Sequence, residues 1–142
     1  MTDSRTAALT LRSRQENGET TVQELRGEVF TKGSSVFVRY EEPEKGPKGG
    51  VTRTMIRISD NVLKIMRHGE VESEQTFQQG QRLPGFYRSP YTTFQLSTAT
   101  HSLHKKMNGA SGSIEWTYDL YVFEELSGQF ALSLHIQEDN IE

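Results

Sequence analysis

Arg67 and His68 stand side by side in Lys64-Ile-Met-Arg-His-Gly69, a permanent cation next to a titratable imidazole, and such a pair suits acid–base work or anion binding. The apolar pattern around them puts both in a turn, where a solvated Arg-His is the default. Folded over a cavity mouth, Arg67 would instead grip an acidic ligand with both arms of its guanidinium. His101 and His104 would share a metal on a helix, but on strands they part, and no further ligand completes a coordination set. No metal is expected. The chain contains no cysteine, which excludes disulfides, thiolate metal sites and a cysteine nucleophile. Serines are plentiful, yet there is no Gly-x-Ser-x-Gly elbow and no inward histidine to act as base. The segment Glu41-Glu-Pro-Glu-Lys-Gly-Pro-Lys-Gly-Gly50 lacks the residue order of a phosphate loop and reads as a hairpin tip. No cofactor motif is present, and an enzyme is the least favoured class, because an activity must be argued from a site.

The elements that would position any such residue are strands. Apolar residues alternate with period two, and helical spacing is sustained nowhere. Leu9 and Leu11 mark a first strand, and Asn17-Gly18 is the pair a type I′ hairpin prefers. The second strand, 19–31, changes parity between Val22 and Leu25, which predicts a β-bulge. Val36, Val38 and Tyr40 mark the third. A two-residue turn at Asp60-Asn61 pairs Ile58 with Leu63 and Ile56 with Ile65. For the next hairpin, a loop at Arg67-His68-Gly69 pairs Ile65 with Val71 and Leu63 with Ser73, which is preferred to setting Ile65 against Glu74.

Beyond it, Gln79 to Gly85 reads as a crossover loop with Phe86, Tyr87 and Tyr91 as anchors. Phe94, Leu96 and Thr98 then face Met107, Lys105 and Leu103 across a turn at Thr100-His101, and Asn108 to Ser113 forms another hairpin loop. Ile114 to Val122 and Phe130 to Ile136 close the chain, with a loop at Glu124 to Gly128 that opposes Val122 to Phe130 and Trp116 to Ile136.

Such short, hairpin-linked strands predict an all-β antiparallel meander closed into a barrel of about 8–10 strands, since closure removes the exposed edges. The 142 residues suit a single domain over 1–142, with 1–6 as a disordered tail. The net charge is −3, from 19 acids and 16 basic residues that do not cluster, so nucleic acid is not an expected partner. No apolar leader or membrane-length run occurs, which places the chain in the cytoplasm and away from membranes.

Arg57-Ile-Ser-Asp-Asn-Val-Leu-Lys-Ile-Met-Arg-His-Gly69 through Phe77, then Gly85-Phe-Tyr87 with Pro90-Tyr91, then Trp116-Thr-Tyr-Asp-Leu-Tyr-Val122 resemble the YwiB-like family of small, functionally uncharacterised bacterial proteins. The resemblance spans nearly the whole chain. It implies a cytoplasmic calycin-like, lipocalin-like barrel and carries no established activity, so no catalytic residue transfers.

Parity directs Ser73, Gln75, Thr98, Lys105 and Tyr118 inward, and buried polar groups must pair, bind water or line a cavity. Two functions follow. In the first, the barrel encloses a small amphipathic ligand, with Tyr118 and Gln75 inside and Arg67 and Tyr87 at the mouth. In the second, the barrel is filled, and outward Tyr121 and Phe123 meet a protein partner or a second copy. Asp119 and Glu115 project from the opposite face and His135 toward solvent, so none serves an interior site.

Overall fold

The computed structural model describes residues 4–139. Ten strands account for most of them: β1 (Arg5–Gln15), β2 (Thr20–Lys32), β3 (Ser35–Glu41), β4 (Thr52–Ile58), β5 (Leu63–Gly69), β6 (Glu72–Phe77), β7 (Arg82–Arg88), β8 (Thr93–Asn108), β9 (Ser111–Val122) and β10 (Glu125–Glu138). Each pairs antiparallel with its sequence neighbours, and β1 closes on β10 from Ala7↔Glu138 to Gln15↔Phe130, giving a closed barrel. The tail expected over 1–6 falls partly outside the described residues, 1–3, while Arg5 and Thr6 already pair with Val29 and Glu28.

An up-and-down barrel has two ends. The upper end carries the β1–β2, β3–β4, β5–β6, β7–β8 and β9–β10 turns; the lower end carries the other four and both ends of the described chain. Alternate residues along the strands that point inward near the lower end form a tight core. Ala7, Leu9, Val29, Ile58, Leu63, Ile114, Leu134 and Ile136 are each no more than 2% exposed. Each larger side chain so buried contributes about 1.5–3 kcal/mol of gross stabilisation. Lys105 closes this end, its Nζ donating to the Ser59 carbonyl at 2.8 Å.

The face that each apolar residue takes follows the alternation, but several pairings differ from it. Ile58↔Leu63 and Ile56↔Ile65 form as expected. The next hairpin turns further along, so Leu63 meets Phe77, Ile65 meets Gln75, and Arg67 is a strand residue paired with Ser73. This register brings two large apolar groups together, Leu63 at 0% and Phe77 at 1% exposure, where the expected one offers Leu63 only a serine. The last hairpin shifts the opposite way, turning earlier than expected: Trp116 meets Leu132 and Tyr118 meets Phe130, whose ring stacks on it at 5.3 Å. Its turn is Phe123-Glu124, both at positive φ (52° and 62°), the type I′ geometry that the sequence suggested for Asn17-Gly18. In that earlier loop only Gly18 is left-handed (φ 93°), and its N–H donates to Gln15 O at 2.9 Å.

Two parity changes resolve differently as well. β2 pairs with β1 without interruption, so no bulge occurs, and Val22 simply faces solvent at 51% exposure. Conversely, Thr100 and His101 make no turn: β8 runs straight through them with a bulge between Thr100 and Ser102. Nor do residues 79–85 cross over. They form a tight β6–β7 hairpin, with Gln81 N donating to Gln78 O at 3.0 Å, and run on into β7. Gly85 allows this, since a Cβ there would lie 2.1 Å from Glu74 O.

Candidate functional site

Inward parity continues past the end of β3. Val36, Val38 and Tyr40 point in, and the next inward position is Glu42, whose N–H donates to Thr52 O at 2.9 Å and so keeps the residue on the ladder. On β5 the same rule carries Leu63 and Ile65 inward and then Arg67. Two opposite charges thus meet inside the upper end. Arg67 Nε and Nη2 donate to the two Glu42 carboxylate oxygens, both at 2.7 Å, and Thr54 Oγ1 donates to Glu42 Oε2 at 2.7 Å. Burial pushes the Glu42 carboxyl up, but the hydrogen bonds from Arg67 and Thr54 and the guanidinium charge hold it below the usual carboxylate range. Arg67 is pushed up by the hydrogen bond to Glu42, against its burial, with Tyr87 and Tyr40 close enough to add to the effect. Tyr40, desolvated beside them, is also pushed up.

Below this pair the barrel is hollow. A cavity of about 320 Å³ is walled by Leu11, Ile56, Ile65, Trp116 and Leu132, and its mouth carries Gln23, Tyr40, Thr54 and Arg67 together with the Glu42-Pro43-Glu44 segment, which brings a second carboxylate. Side chains from strands on opposite sides of the barrel face one another here, so the space is interior. Trp116 is 1% exposed, and its indole Nε1–H has no hydrogen-bond partner among the described residues. An unpaired buried donor is uncommon, because its lost hydration is uncompensated.

The four residues singled out from the sequence all face inward but separate into two groups. Arg67 lines the cavity, and Tyr87 lies at the same end, stacked on Phe94 at 5.1 Å. The Tyr118 ring packs against Phe77 at 4.7 Å and Phe130 at 5.3 Å; burial pushes the phenol up to about 12, with nearby Gln75 pulling the other way. That second group fills the barrel and does not border the cavity. Arg67 is thereby moved from the expected turn into the interior, whereas His68 stays exposed. Tyr40, Glu42 and Thr54 were not singled out, although continued alternation from Val36 signals Glu42.

Among the other polar positions, Ser73 and Thr98 are buried, Thr98 Oγ1 donating to Thr76 O at 2.6 Å. Asp119 points outward as expected but is only 9% exposed, with Oδ1 3.0 Å from His101 Nε2 in a contact lacking hydrogen-bond alignment. His104 lies on the far side of the bulge. A larger hollow of about 490 Å³ on the outer face is bordered by Arg39 and Arg53. Those charges already pair with Glu28 and Glu41.

Strand order and hollow together define a closed meander barrel with an interior cavity at one end. The chain belongs to the family described as a domain of unknown function, DUF1934, which matches residues 8–134. It is 26% identical over 113 residues to an uncharacterized beta-barrel protein YwiB of Bacillus subtilis (strain 168), 78% of each chain. The crystal structure of the ywiB protein from Bacillus subtilis aligns with a TM-score of 0.80 over 96% of this chain and 94% of that one, at 23% identity. The resemblance drawn from the sequence motifs is borne out, and the barrel fold is shared.

Proposed function

We propose that the chain is a binding barrel that takes one small amphipathic molecule into the upper half of its interior. The observation that carries this reading is the cavity of about 320 Å³, apolar along its walls and polar at its mouth. Ligand sites are typically concave, apolar and provided with a few placed polar groups. A space of this size lies at the small end of ligand pockets and suits a small molecule. The calycin-like resemblance favours the same use of a barrel, and the unpartnered Trp116 donor supports a ligand with an acceptor near the cavity wall. Native mass spectrometry of gently purified protein tests the proposal. A retained small-molecule adduct that disappears when Ile65→Trp fills the cavity supports it; an adduct-free protein whose single tryptophan shows no fluorescence response to any small amphipath overturns it.

A second reading, a protein-interaction module, is favoured by exposed Tyr91 (70%) and Phe123 (73%) at the upper end. Sedimentation velocity across a hundredfold range of concentration tests its self-association form, which a constant monomer would refute.

A further inference from the structure

Glu42 sits where a ligand's own head group would be recognised. Arg67 supplies two parallel donors, Nε and Nη2, and Thr54 supplies a third, all within 2.7 Å of one carboxylate. A guanidinium fork plus a hydroxyl is a receptor for a planar carboxylate, and the carboxylate it holds belongs to the protein. The tether is short. The Glu42 backbone is pinned by its hydrogen bond to Thr52 O, so only side-chain rotation is needed to vacate the fork, and the side chain, 18% exposed, has solvent to rotate into. The β3–β4 loop need not open, and it is held separately, Glu70 accepting from Lys48 N at 2.9 Å and Gly50 N at 3.2 Å.

We infer that the Arg67–Thr54 fork at the cavity mouth recognises molecules with a carboxylate head and an apolar body, and that Glu42 is a resident competitor which an incoming carboxylate displaces from it. This rests on the binding-barrel reading and specifies its ligand class. The apolar walls Leu11, Ile65 and Leu132 receive the body, and the fork receives the head. A tethered competitor acts at an effective concentration of millimolar or more, so it weakens every carboxylate ligand and leaves neutral analogues, which do not contend for the fork, unaffected. Its presence also keeps the Arg67 charge paired in the empty barrel, where an unpaired interior guanidinium would be costly.

Octanoate and 1-octanol share a body and differ in the head, and Trp116 reports both by fluorescence. The expected result is that Glu42→Gln raises the ratio of octanoate to octanol affinity at least tenfold and Arg67→Gln lowers it at least tenfold. Should Glu42→Gln fail to fold, the wild-type protein decides: octanoate must shift the backbone amide resonances of Glu42 and Thr54 beyond anything octanol does. If both probes bind and neither the ratio nor those amides distinguish them, the carboxylate assignment is overturned while the binding barrel stands. If neither probe binds any folded form, both are overturned.

Discussion

Replacing Arg67 with methionine keeps an apolar stem against the barrel wall and removes the two donors that hold Glu42. Hydrogen bonds to charged groups contribute about 1.5–3 kcal/mol each, so the pair has a ceiling near 3–6 kcal/mol. Neither partner is fully dry: the Arg67 and Glu42 side chains are 32% and 18% exposed, and the released carboxylate can turn toward water. We therefore expect a loss of about 2–3 kcal/mol at neutral pH, below that of a wholly buried pair. For a domain of this length that corresponds to roughly 6–12 °C in Tm. The pH dependence has a definite sign. The folded Glu42 carboxyl titrates below its free value of 4.5, so its contribution is complete above about that pH and is lost as the pH falls through the lower folded value. Urea unfolding followed by Trp116 fluorescence, run from pH 7 to pH 3 on wild type, Arg67→Met, Glu42→Gln and the double variant, measures the loss and the coupling. A loss under about 0.5 kcal/mol at pH 7, or one that does not shrink with acid, refutes the assigned pairing.

Gly69→Ala is expected to destabilise by 3 kcal/mol or more in thermal denaturation, since the residue has φ +136° and a Cβ would lie 2.1 Å from Val51 O. Phe123→Asn with Glu124→Gly should stabilise by about 1 kcal/mol, because both turn positions are left-handed (52° and 62°) and non-glycine residues there are strained; an unchanged or lower Tm counts against a type I′ turn. In ultraviolet titration the tyrosinate absorbance gained between pH 7 and 11 should be the same in Tyr118→Phe as in wild type, since Tyr118 ionises only at about 12.

Period-two alternation is a local property, and it determined the all-β class, the meander and the inward or outward face of most core residues: Val36, Val38, Ile56, Ile58, Leu63 and Trp116 are all interior. Register was not legible in this way. Sliding Leu63 from Ser73 to Phe77, or Trp116 from Ile136 to Leu132, moves a strand by an even number of residues and leaves every face unchanged. Only the fit of side chains from several strands separates such choices. Parity breaks are equally ambiguous, since a turn, a bulge or an outward apolar residue produces the same signal; Val22 is the last of these and the Thr100–Ser102 step the second.

The candidate site divides along the same line. Alternation by itself points Glu42 and Arg67 inward, each one step beyond an apolar run. That they meet depends on β3, β4 and β5 lying side by side with Tyr40 opposite Thr54 and Thr54 opposite Arg67. The hollow beneath them depends on still more, namely the side-chain volumes of strands around the whole barrel summed at one level. Arg67 therefore reads from the sequence as a cation in a turn and is an interior group only through the tertiary structure, because long-range strand pairing, which no local pattern encodes, decides what stands across from it.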